Sequence, residues 1–399
     1  MSIANARASW HGLAMISSDD IRAARAPLAC FATIGMVWGA FAAQVPVIKA
    51  QIGASDGVFG LSLLVASFGA VGAMWTAPRM DGWLGRWTLP VLALVLGFAF
   101  VVPSLAGAPV AFTLGMLCCT CSAGTLDVVM NARVSSVEAR RRRPLMNFAH
   151  GLFSLAYGLS ALLVGLLREA GFSPLTVFAL LGVLNLVLVR EALRDHGEPL
   201  DEDDVSHTDA APGLLIVAGM VILIAFMAEQ ATEGWSALHI ERSLGGGAAE
   251  GAMGPALLGL TMAAGRFGGQ ALVKSFSEIA VLAVAAVLSA AGAFMAAMAE
   301  GLFLAYAGFA VLGLGVSVVA PMAFSFVGRH VSNRARTAAI ARISVIGYAG
   351  FFIGPPIMGF VSEGFGLSTS FAVMGVALLL VTFILAPMLA SHQGRSHAE

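Results

Sequence analysis

The chain alternates long apolar runs with short polar breaks. A run of about twenty apolar residues can cross a bilayer as a helix, because a helix satisfies its own backbone amides. Twelve such runs are predicted, near 27–50, 57–79, 88–107, 109–135, 144–168, 173–192, 213–241, 252–274, 278–298, 301–328, 337–361 and 367–390. The breaks are short except after the sixth run, where "EALRDHGEPLDEDDVSHTDAAPG" is acidic and carries two prolines. Such a stretch reads as an exposed linker. The pattern therefore predicts an all-α integral membrane protein of twelve transmembrane helices in two pseudo-symmetric six-helix halves. Residues 1–26 form an N-terminal segment, 27–192 the first half, 193–212 the acidic linker, 213–390 the second half, and 391–399 a tail.

Composition agrees with lipid as the solvent. Of the 399 residues 58% are hydrophobic and 11% charged, against about 25% charged in a soluble domain. The net charge of -1 gives no reason to expect a nucleic-acid partner. The four cysteines, Cys30, Cys118, Cys119 and Cys121, sit inside apolar runs without the spacing of a zinc site. No metal or cofactor is expected. Residues 1–26 lack the apolar core of a cleavable signal, and the first run is long enough to span.

Basic residues set the expected orientation. If the N-terminus lies inside, 17 of the 22 lysines and arginines fall on the cytoplasmic side, and only Lys49, Arg168 and Arg242 on the other. Positive charge resists translocation. Both termini are therefore expected in the cytoplasm of a bacterium, with the chain in its inner membrane. The quartet Arg140–Arg143 then serves as a topology anchor. The halves also resemble each other: "DVVMN" (127–131) aligns with "SVVAP" (317–321), and a basic turn follows in both. A parallel repeat of six helices is a transporter architecture, with the solute site between the halves at mid-membrane.

Charges inside lipid cost roughly 2.5–3.5 kcal/mol each on insertion scales and so point to function. Asp127 stands within the fourth run, with Asn131 at i+4 on the same helical face. His150 opens the fifth run. In the seventh, Glu229 and Glu233 stack four residues apart, and two such carboxylates cannot both ionise cheaply in a low dielectric. Arg266 and Arg342 lie inside the eighth and eleventh runs. The glycine-bearing turns "APRMDGWLGRW" (77–87) and "AGRFGGQALVKSF" (264–276) occupy equivalent places in the halves. Their Asp81, Arg86 and Arg266 are expected to pair across the cytoplasmic face as a gate. No phosphate-cradling G-x-x-x-x-G-K-[ST] loop and no catalytic Ser/His/Asp or H-E-x-x-H pattern appears, so neither an ATP-driven pump nor an enzyme is expected.

The stretches "GTLDVVMN", "FAHGLFSLAYG", "AEQATEGWSA" and "GYAGFFIGPPIMGF", in this order, resemble the fucose-permease-related branch of the major facilitator superfamily. The resemblance implies a secondary transporter with Asp127 as its proton-coupling carboxylate, Asn131 beside it and Glu229 in support. It departs at helix one, where the permease has an aspartate and this chain offers Gln44, and in the helix 2–3 signature, where Asp81 is displaced by one residue. The substrate-binding set is expected to be Asn131, His150, Glu233 and Gln44. The function expected is alternating-access import of a small, sugar-like solute by a single chain in the lipid bilayer, energised by the proton gradient. Drug or metabolite efflux by proton antiport is the first alternative, and a non-transporting receptor or scaffold is the second.

Overall fold

A computed structural model of the chain describes residues 16–197, 211–272, 276–331 and 335–396. These residues are helical almost throughout. In chain order the helices are α1 (Ser18–Gln51), α2 (Asp56–Leu84), α3 (Thr88–Ala99, continued by Val101–Ser104), α4 (Pro109–Arg141), α5 (Met146–Glu169) and α6 (Pro174–Ala192). The second half repeats the count with α7 (Pro212–Leu238), α8 (Ala248–Leu272), α9 (Glu278–Ala297), α10 (Leu302–His330), α11 (Arg336–Phe365) and α12 (Leu367–Leu380, prolonged through a π turn into Ala386–Ser396). By length and composition eleven stretches of the described residues can cross a membrane; α8 completes the bundle.

Local chemistry explains the boundaries. Ser17 caps α1 and forms a capping box with Asp20, so the helix starts nine residues before the first apolar run. Its first turns, with Asp19, Arg22 and Arg25, are too polar for hydrocarbon yet continue the helix beyond it. Ser55, Ser173 and Ser277 cap α2, α6 and α9. Proline stands in the first turn of α4, α6 and α7, where its missing N–H costs nothing. Much of the linker, residues 198–210, lies outside the described residues.

The packing repeats as the helix count does. In the first half α1 packs on α5, α2 on α4 and α3 on α6; in the second α7 packs on α11, α8 on α10 and α9 on α12. Helices α5 with α8 and α2 with α11 join the halves, and α1 also touches α7 and α8. Small residues allow these approaches. A Cβ at Gly39 would strike the Tyr157 carbonyl oxygen, and one at Gly350 the Leu223 carbonyl oxygen.

Successive helices cross in opposite senses, so the loops at 52–55, 105–108, 170–173, 244–247 and 298–301 share one face, called here the far face. Both ends of the described chain lie on the opposite, terminal face. One apolar core runs through the first half and takes in Trp235, Leu238, Ile240, Ala296, Ala305, Met358 and Leu367 of the second. All of these sit in the far part of their helices. A second core, from Leu214 to Leu389, belongs to the second half alone. The halves are thus welded near the far face and separate towards the terminal one.

Candidate functional site

Side chains at the far face draw the halves together. Asp56, in the first turn of α2, receives Lys49 Nζ at 2.8 Å and the Arg242 guanidinium at 2.8 and 2.6 Å. Ser362 of α11 donates to the same carboxylate and accepts from Arg242 at 2.9 Å. Glu363 accepts from the Gly57 N–H at 2.6 Å and the Ser55 hydroxyl at 2.9 Å. Arg168 of α5 holds Glu241 through two hydrogen bonds of 2.7 and 3.0 Å and donates to the Ala43 carbonyl. Beneath them Phe59 meets Trp235 edge to face, 5.7 Å between centroids. Carboxylate and guanidinium pairs of this geometry are specific as well as strong.

The terminal face is arranged otherwise. Arg133 pairs with Asp81 at 2.7 Å and with Asp195 at 3.3 Å, Arg141 with Asp20 at 3.1 Å, and Arg329 with Glu278. Each of these pairs stays within one half. Among the described residues α4 and α10 do not pack on each other, and the Phe148–Phe267 contact at 5.6 Å bridges α5 and α8.

Between the faces lie the charges picked out in the sequence. Glu229 is buried, and its carboxylate accepts from Arg266 Nη2 at 3.3 Å. The same guanidinium donates to the Ser154 hydroxyl and, at 3.4 Å, to the His150 carbonyl of α5, so it ties α7, α8 and α5 together. Its carbon lies 5.9 Å from the centre of the Phe153 ring. Glu233, one turn further along α7, is within electrostatic reach of Glu229 and Arg266, and Tyr157 is within reach of both carboxylates. The His150 ring meets Phe31 edge-on at 5.0 Å; its backbone oxygen, not its ring, faces Arg266. Asp127 is half-buried on α4, where its carboxylate accepts from Asn131 Nδ2 at 3.0 Å. Tyr348 of α11 is within electrostatic reach of Asp127 and stacks with Phe226 and Phe351.

One grouping differs from the one the sequence suggested. Asp81, Arg86 and Arg266 form no common gate. Asp81 is turned inward to Arg133, Arg86 lies over Trp87 on the surface, and Arg266 belongs to the central cluster. The reason is depth: Arg266 is two turns inside α8, too far from the turn to reach the α2–α3 connection. Gln44 is fully buried on α1, and among the described residues neither atom of its amide has a partner. The Tyr157 hydroxyl, Trp235 Nε1 and Ser236 hydroxyl share that condition. These four residues come from α1, α5 and α7, and Tyr157 and Ser236 abut α8 at Gly259 and Gly254. Tyr157, Phe226 and Tyr348 escape a reading based on charge, since an aromatic in an apolar helix looks like packing.

Known proteins share this chain's sequence pattern and fold. The Major Facilitator Superfamily sequence profile matches residues 215–397. An uncharacterised MFS-type transporter of Yersinia pestis is 31% identical over 357 residues, covering 88% of this chain and 91% of its own. Membrane protein MosC of Rhizobium meliloti is 27% identical over 84% of this chain and 82% of its own. Among solved structures, the nucleoside transporter NupG (D323A mutant) superposes with a TM-score of 0.73 at 11% identity, covering 92% of this chain and 99% of that one. A bacterial homolog of the human lysosomal transporter Spinster reaches 0.72 at 14% identity, over 95% and 98% of the chains. With the Yersinia relative aligned over nearly its whole length, the chain belongs to the major facilitator superfamily, as a multi-pass membrane transporter and not an enzyme.

Proposed function

We propose that the protein is a proton-coupled importer of a small, sugar-like solute, related to the fucose-permease branch and working by alternating access. The observation that carries this reading is the asymmetry of the two faces: ion pairs and apolar core join the halves at the far face, over a buried set of ionisable groups. On this reading both termini lie in the cytoplasm of a bacterial inner membrane, consistent with 17 basic residues assigned to the terminal face and three to the other. The terminal face is then the cytoplasmic one, and the structure represents an inward-facing state.

Asp127 is the coupling carboxylate, with Asn131 orienting it through the bond between them. Proton binding neutralises the carboxylate for the closed passage, and release follows when water reaches it on the other side. Glu229 supports it. Its pairing with Arg266, which also holds Ser154 of the first half, makes the charge state of α7 felt across the interface. Glu233 and His150 line the same passage. The unpartnered Gln44, Tyr157, Trp235 and Ser236 supply uncharged donors and acceptors. That chemistry suits the hydroxyls of a sugar-like solute, since a buried polar group gains most from the partner it lacks.

The test begins with a thermal-shift screen of purified protein against sugars, organic acids and amines, because a ligand of the native state raises apparent stability. With the solute in hand, Asp127→Asn is reconstituted in proteoliposomes. It should lose uphill accumulation and solute-induced alkalinisation while counterflow persists. An Asn variant that still concentrates solute with accompanying proton movement removes Asp127 from the coupling role.

A further inference from the structure

On the terminal face, within the first half, a cavity of about 470 Å³ lies among the start of α1, the α2–α3 turn and the end of α6. Three arginines line it, Arg25, Arg86 and Arg194, together with Trp87, Leu193, Asp195 and His196. Among the described residues its one carboxylate, that of Asp195, is held by Arg133 at 3.3 Å. Arg194 has Glu191 at 3.5 Å, with both side chains about two-fifths exposed, a pair of little strength. Among the described residues Arg25 and Arg86 have no carboxylate at all, and Arg86 lies over the Trp87 ring at 5.2 Å.

A topology signal requires basic residues on one face of the membrane but not their convergence. Arg142 and Arg143 satisfy that signal from an exposed turn without enclosing anything. Here three arginines from separate segments border one space. The wall is firm as well: Gly197, at φ +70°, lies so close to the Arg86 backbone that a Cβ would collide with its nitrogen. Guanidinium groups match phosphate oxygens in shape and charge. Trp87 and Leu193, both about half exposed, add the apolar border that a molecule rooted in the membrane needs.

We propose that this cavity binds the phosphodiester headgroup of an anionic lipid. Arg25, Arg86 and Arg194 hold the phosphate oxygens, and Trp87 and Leu193 lie against the glycerol and first acyl carbons. All five belong to the first half, so a bound lipid pins the start of α1, the α2–α3 turn and the end of α6 together without hindering movement between the halves. The proposal is independent of the transport reading, since it concerns neither the passage nor its solute.

Native mass spectrometry of the detergent-purified protein with phosphatidylglycerol, cardiolipin or phosphatidylcholine tests it. Phosphatidylglycerol and cardiolipin should be retained in preference to phosphatidylcholine. At ~1 kcal/mol per surface arginine, the triple variant Arg25→Gln, Arg86→Gln, Arg194→Gln should bind phosphatidylglycerol roughly a hundredfold more weakly. Arg142→Gln with Arg143→Gln should leave binding nearly unchanged. If the triple variant is not monodisperse, Arg86→Gln alone is compared, with an expected loss of roughly fivefold. Equal retention of phosphatidylcholine, undiminished binding by the cavity variants, or an equal loss in the Arg142/Arg143 control overturns the site. Displacement of phosphatidylglycerol by inorganic phosphate at similar concentration overturns the lipid as its occupant and leaves a soluble anion.

Discussion

The far face and the terminal face are built from the same twelve helices and use the same kinds of charge, but they connect those charges differently. At the far face Arg242 reaches Asp56 and Arg168 reaches Glu241, each from one half to the other. At the terminal face Arg133 reaches Asp81 and Asp195, and Arg141 reaches Asp20, all inside the first half. Apolar packing follows the same rule, with a core shared between halves on one side and divided on the other. An ion pair can trade its partner for water when an interface opens, whereas a buried apolar weld exposes area at roughly 25 cal/mol per Å². Charges that cross the halves are therefore suited to a closure that must reverse. Charges within a half keep that half rigid while it moves.

The sharpest way to break this comparison is at Asp56. Its side chain is 5% exposed and pairs with both Lys49 and Arg242. Removing it leaves Lys49, 13% exposed, without its counter-charge, while Arg242, 44% exposed, regains water, so the cost is roughly 2–3 kcal/mol, below that of a fully buried pair. Asp56→Asn should therefore lower the unfolding temperature and loosen the far face. With the four native cysteines replaced, a Ser236→Cys probe, at a position buried beneath the network in the present state, should become reactive to a water-soluble thiol reagent. Unchanged labelling would mean that the ion network does not hold the face shut.

Arg133→Gln supplies the counterpart on the terminal face. It strips the counter-charge from two carboxylates whose side chains are 2% and 7% exposed, while the amide keeps one hydrogen bond, so a cost of about 2 kcal/mol is expected. Because the triad lies inside one half, stability should fall with no change in the reactivity of the Ser236→Cys probe. Far-face labelling that rises as it does in Asp56→Asn would erase the distinction between charges within a half and charges across it.

How much of this was legible in the chain depends on the kind of signal. Helix number and approximate placement followed from apolar runs, because hydrocarbon imposes length directly. Asp127, Glu229 and Glu233 stood out because charge in lipid demands a reason. The far-face network did not, although a clue existed. Lys49, Arg168 and Arg242 are the three basic residues that the charge asymmetry leaves on that side, and all three proved to be paired. Their partners could not be named, since Arg242 and Asp56 stand 186 residues apart and no local spacing encodes such a register. Arg266 was grouped with the α8–α9 turn by motif, whereas depth in the helix decides its partners. Tyr157 and Tyr348 were invisible for want of charge.

The smallest expected effect tests whether the terminal face is held by anything across the halves. Phe267 of α8 is 44% exposed, stacks obliquely on Phe148 of α5, and covers Gly151. Such an aromatic pair contributes about 0.5–1.5 kcal/mol beyond its buried area. That is too little to set the fold but comparable to the difference between two conformations of a transporter. Phe267→Ala should thus barely move the unfolding temperature while letting α5 and α8 part at their terminal ends. Spin labels at Arg143 and His330 report the separation of the halves there, and their distance distribution should gain population at longer distances. Because Arg266 still ties Glu229 to Ser154 one turn deeper, the widening should stop short of the central cluster, and the thiol probe at position 236 should stay protected. An unchanged or shortened distribution would show that the Phe148–Phe267 contact is incidental.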